Sequence, residues 1–302
     1  MKKTIICLIV AATLLFHSNL SAQKQVRHRF MVACFSQGRV CIIGKDGKIE
    51  WECKIGNAVQ DIWMLPNGNI LVSYTQGVKE INKDKKVVWE YKTKQEGPLE
   101  IHSAQPLKNG NILICECGPK RLIEVNRSGK IVKEIKAETK KSCHLQFRSV
   151  RKTQKGTYLV AFLGDSMIKE LDENGKVLKE IHLAERDKSA HAVLELPNGN
   201  ILATTAYSKG IKEFDCDGKL LWEVSKKDIS DAGVKKVGYA AGVHRLPNGN
   251  TVLSMYHGNP QLIEITPDKK IIWSYFNKDL GNISSVNILD EEVISAQKEI
   301  LR

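Results

Sequence analysis

Three stretches, "DIWMLPNGNILVSY", "HAVLELPNGNILATT" and "GVHRLPNGNTVLSM", repeat one phrase: an apolar segment, a Leu-Pro-Asn-Gly-Asn turn and a β-rich apolar run. Looser copies stand at "PLKNGNILICE" and "KTQKGTYLVAF", so x-Gly turns recur at Gly68, Gly110, Gly156, Gly199 and Gly249. Asn-Gly favours the positive backbone angles of two-residue hairpin turns, and each copy reads as such a hairpin. A second hairpin follows each first one: "KDGKIEWE", "KDKKVVWE", "RSGKIVKE", "ENGKVLKE", "CDGKLLWE" and "PDKKIIWS". Tryptophan takes one equivalent place in four of these six, at Trp51, Trp89, Trp222 and Trp273, while Lys133 and Lys179 take it in the others. Such regular placement predicts packing between repeats, and Trp63, on a first strand, is expected to face a central channel.

Two hairpins make a four-stranded unit of roughly 45 residues, the repeat length of a propeller blade. The two ends of the chain decide the count. After the start come "RFMVACF", "RVCIIG" and "IEWECK", which read as the second, third and fourth strands of a blade without a first. Near the end, "ISSVNIL" reads as a lone first strand, with "EEVISA" left either to pair beside "FMVACF" or to replace part of it. Joining them predicts an all-β, six-bladed β-propeller with four-stranded blades, closed by pairing residues 283–289 with the blade of residues 30–54. Closure of this kind removes open sheet edges.

Residues 1–22 have the features of a secretory signal: Lys2 and Lys3, the apolar run "TIICLIVAATLLF", and a small residue before a cut after Ala22. The remainder, residues 23–302, is read as one domain exported to the periplasm or beyond the cell. No second stretch approaches the roughly 20 apolar residues of a membrane span. The formal charge is +12, or +10 without Lys2 and Lys3, and the excess is lysine scattered near turns. Scattered lysine is a solvated surface, and with no nucleic-acid motif the composition favours anionic glycans or small anions over nucleic acid. Seven cysteines remain after Cys7, an odd number, and most sit within apolar alternation as small buried hydrophobes. Cys115 and Cys117 share one strand face, no histidine completes a zinc set with them, and no metal site is expected.

The "DGK" hairpins resemble the repeats of pyrroloquinoline-quinone-like propellers. "H-x-x-x-x-LPNGN" is similar to arylsulfotransferase-like six-bladed propellers, in which histidines line the channel. The quinone group implies eight blades, a calcium site and an adjacent cysteine pair; the chain has six blades and no Cys-Cys pair, so no cofactor is expected. The arylsulfotransferase resemblance implies a channel histidine that takes the sulfuryl group, with another histidine and an arginine stabilising the oxyanions. Its candidates are His191, His102 and Arg148. Two departures count against it: Ser103 and Ala192 stand where an acidic residue often follows the histidine, and the extra N-terminal domain of the larger enzymes is missing.

The residue seven places before each x-Gly turn is Gln60, His102, Arg148, His191 or Ala241. On a first strand these positions converge at one channel mouth, where imidazoles, a guanidinium and an amide suit an anionic or hydroxyl-rich ligand. Arg148 belongs to the blade with the least regular spacing. Tyr74, His144, Tyr207 and His257 fall in connections on the same side and are candidates for a rim. The function expected is ligand binding or interaction through this mouth. The alternatives are an arylsulfotransferase-like or acidic-glycan lyase chemistry on the same residues, or a scaffold that uses outer blade edges for a protein partner. Titrating histidines predict anion binding that strengthens as the pH falls from about 8 to about 6.

Overall fold

A computed structural model of the chain describes residues 27–94, 96–183 and 189–295; the proposed signal lies outside them. They form six four-stranded antiparallel sheets, and the innermost strand of each touches the innermost strands of both neighbours. The sheets therefore close into a six-bladed β-propeller. Blade 1 takes its inner strand, Ile283–Ile288, from one end of the chain and its other three, Phe30–Cys34, Arg39–Ile43 and Ile49–Lys54, from the other. Val286 pairs with Val32 and Ile288 with Phe30. The inner strands of blades 2 to 6 are Ile62–Met64, Glu100–Pro106, Phe147–Lys152, Ala190–Glu195 and Tyr239–Arg245. "EEVIS" joins no sheet: residues 291–295 are helical, starting from Asp290, whose carbonyl accepts from the Val293 and Ile294 N–H groups.

The repeated turn differs from the two-residue hairpin expected of Asn-Gly. Leu65 N–H donates to Asn69 O (2.8 Å) and Gly68 N–H to Leu65 O (2.9 Å), which encloses Pro66, Asn67 and Gly68 in a three-residue loop. The same bonds recur from Leu107, Thr153, Leu196 and Leu246. The proline of the Pro-Asn-Gly copies suits this loop, since its ring fixes φ near −65° at the first position, and the glycine (φ 81° at Gly68) is left-handed. The asparagines have separate tasks. Asn67 Oδ1 accepts the Asn69 N–H at 3.0 Å, and Asn69 Nδ2 reaches Glu80 at 2.6 Å, as Asn200 reaches Glu213 and Asn250 reaches Glu264. Each of these third-strand glutamates also holds a cation of the following blade: Arg127 on Glu80, Arg245 on Glu213 and His28 on Glu264.

The core is divided into six apolar layers, one between each pair of neighbouring blades. Phe30, Val32 and Cys34 face blade 6 while Met31 and Ala33 face blade 2, which leaves all five residues of that strand buried. This is why the second strands read as unbroken apolar runs. The fourth-strand position spans each interface, as its spacing predicted. Trp51 Nε1 donates to Lys83 O (2.9 Å), Trp222 Nε1 to Pro267 O (2.8 Å), and Lys133 bonds Glu173 (3.0 Å), each on the next blade's outer turn. Lys179 reaches Cys216 O in the same way, Arg127 lies over Trp89, and Trp273 packs edge-on against His28 and Phe30. The seven described cysteines are unpaired, and Cys34, Cys41, Cys115 and Cys117 are buried. No helix among the described residues is long and apolar enough to cross a membrane.

Two predictions test these interfaces. Trp222 is half-buried, so Trp222→Ala should destabilise by about 2–4 kcal/mol, read from denaturant unfolding; a parent-like midpoint would remove the tryptophan from the interface. The second concerns closure. His28 Nδ1 bonds Asp290 at 2.6 Å and Nε2 bonds Glu264 at 2.8 Å, tying the N-terminal side to blade 6 and to the end of the closing strand. Burial disfavours the imidazolium, but the two carboxylates outweigh it and hold the pKa above the ordinary 6.5. A raised folded pKa stabilises fully below the unfolded value and less as the pH climbs through the folded one. His28→Asn should therefore cost on the order of 1–3 kcal/mol at pH 6 and distinctly less at pH 9. Equal losses at both values would exclude the charged clasp.

Candidate functional site

The inner strands are irregular where they enter the sheet. Ile101 pairs with Glu116 and Ala104 with Ile114, so one extra residue is carried by the inner strand between them. Comparable bulges lie between Phe147 and Ser149, Ala190 and Val193, Ala240 and Val243, and Ile283 and Ser285. A bulge releases a residue from the ladder and re-aims its side chain. The N–H groups freed in this way are met by hydroxyls of the second strand: Thr204 accepts from Ala192 (2.9 Å), Ser254 from Gly242 (2.8 Å) and, in blade 2, Ser73 from Asp61 (2.9 Å).

The residues re-aimed at this level are those seven places before each turn. Gln60, His102, Arg148, His191 and Ala241 all line one cavity of about 300 Å³. Ser284 of the closing strand is the sixth member; sequence counting missed it because no x-Gly turn follows it. Of the rim candidates, His144 and Tyr207 line the cavity; Tyr74 and His257 do not. Tyr74 ends its strand and points into the layer between blades 1 and 2, where its hydroxyl bonds Glu90 at 2.7 Å. Only two residues separate it from Gly77, so the short turn presents Thr75 to the cavity instead. His257 is left-handed (φ 62°), which places its ring behind Tyr256, 4.5 Å between centroids.

One wall of the cavity is polar and hydrogen-bonded in a ring. Glu100 Oε2 lies 2.8 Å from His102 Nε2 and 2.9 Å from His144 Nδ1. Arg148 Nη1 lies 2.8 Å from His102 Nδ1 and 2.7 Å from its Nε2, and Nη2 lies 2.8 Å from His144 Nε2. A guanidinium only donates and a carboxylate only accepts. With the ring nitrogens that face Glu100 as donors, the opposite nitrogens accept from Arg148. Glu100 was not singled out in the sequence, although it stands two residues before His102, on the same strand face. Ionic hydrogen bonds, first that from His102, hold its carboxyl down at about 2. Burial and then Arg148 lower His102 to about 4 and His191 to about 3, and burial lowers Arg148 as well. The expected titration of these imidazoles between pH 8 and 6 is thus corrected: both stay neutral there, and the fixed positive charge is Arg148.

The opposite wall is aromatic. Phe35, Tyr256, Tyr239 and Tyr207 line it from blades 1, 6 and 5. Edge-to-face contacts join Phe35 to Tyr256 and Tyr207 to Tyr239, each at 5.4 Å, with the His257 ring touching both central tyrosines. Tyr207 and Tyr239 are exposed at the mouth. Further along the channel Arg151 of blade 4 spans to Asp61 of blade 2, with bonds of 2.8 and 3.2 Å, past Ser103 of blade 3 (2.7 Å). Trp63 lies against this ion pair, 5.0 Å from the Arg151 guanidinium. Glu100, His102 and His144 have donor atoms within 4.8 Å of one another. The pattern was hidden because His144 comes from a different blade connection.

Comparison with solved structures places the architecture among known propellers. A protein of unknown function from Bacteroides caccae is 26% identical with a TM-score of 0.77, over 88% of this chain and 100% of that one. A streptogramin B lyase is 14% identical with a TM-score of 0.63, over 90% and 96%. A catalytically inactive histidine-to-alanine variant of virginiamycin B lyase from Staphylococcus aureus, with quinupristin, is also 14% identical, with a TM-score of 0.60 over 85% and 86%. At that identity the two lyases share the fold alone. No curated protein matches the sequence. The model of one family, the Mal s 1 allergenic protein-like proteins, matches residues 22–233, and the chain belongs to that family.

Proposed function

We propose that the protein is an exported binding protein whose channel mouth takes a small organic anion carrying a sugar or aryl ring, such as a uronic acid, a sulfated sugar or an aryl sulfate. The observation that carries this reading is the pairing of Arg148 with the aromatic wall across one cavity of about 300 Å³, the small end of ligand-sized clefts. Each terminal nitrogen of Arg148 has a second hydrogen beyond the one engaged by an imidazole. These are available to a carboxylate or sulfate. Tyr239, Tyr256 and Tyr207 supply faces on which a sugar or aryl ring packs. The ring of hydrogen bonds gives the guanidinium a fixed position before any ligand arrives, which lowers the ordering cost of binding.

The catalytic alternatives have less support. Sulfuryl transfer in the arylsulfotransferase manner needs an imidazole nitrogen free to attack, and both nitrogens of His102 are engaged, one by Glu100 and one by Arg148. His191 is held by the Ala241 backbone, and its lowered pKa makes it a weak nucleophile and base near neutrality. A scaffold function would leave the arrangement of the mouth without a task.

A thermal-shift screen against glucuronate, galacturonate, sulfated monosaccharides and aryl sulfates should find at least one stabilising anion. Calorimetry with that anion should show about 10- to 100-fold weaker binding in Arg148→Gln and roughly 3- to 10-fold weaker binding in Tyr239→Ala. No stabilisation by any member, or unchanged affinity in Arg148→Gln, would overturn the reading. Export has its own check: the mature protein recovered from outside the cytoplasm should begin at Gln23, and recovery of the intact chain from the cytoplasm alone would contradict it.

A further inference from the structure

We propose that Glu100, His102 and His144 form a binding site for a divalent transition-metal ion of the zinc type, and that Arg148 is the internal cation that holds this site when the ion is absent. Three observations support the assignment. Two imidazoles and a carboxylate bring donor atoms within 4.8 Å of one another, the set that binds zinc where positions are kept open for another ligand. The donors come from two supports, the inner strand of blade 3 for Glu100 and His102 and the connection before blade 4 for His144. A positive group already lies against the cluster: the guanidinium of Arg148 donates to His102 (2.8 Å) and His144 (2.8 Å).

The guanidinium is a poor match for this cluster. Its nearest contact with Glu100 is 3.9 Å, against 2.8 and 2.9 Å for the two imidazoles, so its charge meets the carboxylate through the rings. A metal ion seated between Glu100 and the nitrogens that face it, His102 Nε2 and His144 Nδ1, meets all three donors directly. Ion and guanidinium need lone pairs on opposite nitrogens of each ring, so binding is an exchange in which the Arg148 side chain leaves the imidazoles. No bond is oxidised or reduced, and each ring keeps one proton, which shifts to the nitrogen that Arg148 vacates. The exchange turns the freed guanidinium over to the cavity, where the ion's remaining coordination positions also open.

The test is a titration of tag-free, chelator-treated protein with Co²⁺, followed by its visible absorption, and with Zn²⁺ by calorimetry. The expected result is one ion per chain with a d–d spectrum of nitrogen and oxygen ligation. Arg148→Met, which removes the competitor, should bind at least about tenfold more tightly. His144→Ala changes a residue exposed on a connection and should abolish binding while leaving the circular dichroism intact; Glu100→Gln should weaken it strongly. Failure of the parent chain to bind either ion overturns the proposal, and so does binding by Arg148→Met alone, since Arg148 would then be a permanent occupant. Sulfur-to-cobalt charge-transfer bands, or binding that survives His144→Ala, would place the ion elsewhere and equally overturn it. The titration contains no organic ligand, and the anion experiments use chelator-treated protein, so either reading can fail without the other.

Discussion

A ring of blades exists only if its last strand finds its first. The pairing of Ile283–Ile288 with Phe30–Cys34 joins residues separated by most of the chain, and every apolar layer depends on it. Each layer is shared between two blades. An open array would leave two blades with an uncovered apolar face, and the channel mouth would lose the wall on which Phe35 and Ser284 stand. The clasp of His28 on Glu264 and Asp290 lies across this same seam, and Trp273 packs against it. The polar and apolar parts of the closure therefore act at one place.

Within the ring, the tight turns and the channel mouth lie at opposite ends of the blades. The Leu-Pro-Asn-Gly-Asn loops and the outer-strand turns carry structural tasks: the second asparagine fixes a buried glutamate, and that glutamate fixes a cation of the next blade. At the other end the ladder is interrupted, and its free N–H groups are satisfied by serine and threonine hydroxyls instead of water or ligand. Burying such groups without partners would be costly. The hydroxyls make the bulges stable without any help from a bound molecule.

The fold was legible in the sequence because a blade is a local object with a fixed period. Turn residues at constant spacing gave the strands, the offset of seven gave Gln60, His102, Arg148 and His191 a common level, and the incomplete terminal blades gave the closure. The turn type was misread because Asn-Gly is a strong signal for a two-residue turn, while the loop takes in the residue before it whether or not that residue is proline. Glu100 and the aromatic wall were not legible for a different reason. Tyr239, Tyr256 and Phe35 stand at strand ends, where one residue more or less in a turn decides whether a side chain meets the cavity or the layer between blades. Tyr74 shows the same sensitivity with the opposite outcome. The low basicity of His102 and His191 comes first from burial and then from a guanidinium on another blade, which no single motif contains.

The bulges also have a consequence for how such a protein diversifies. A side chain released from the ladder contributes nothing to strand pairing, and at the channel mouth it lies outside the apolar layers. Five such positions, together with Gln60 of blade 2, surround the cavity, and here the six hold glutamine, histidine, arginine, histidine, alanine and serine. Exchange of Gln60, His191 or Ala241 would rewrite the surface of the mouth while the turns and layers stay as they are, whereas His102 and Arg148 are bonded to each other and Ser284 bonds across the seam. The propeller thus resembles a keyed lock in which some pins turn freely and others are linked.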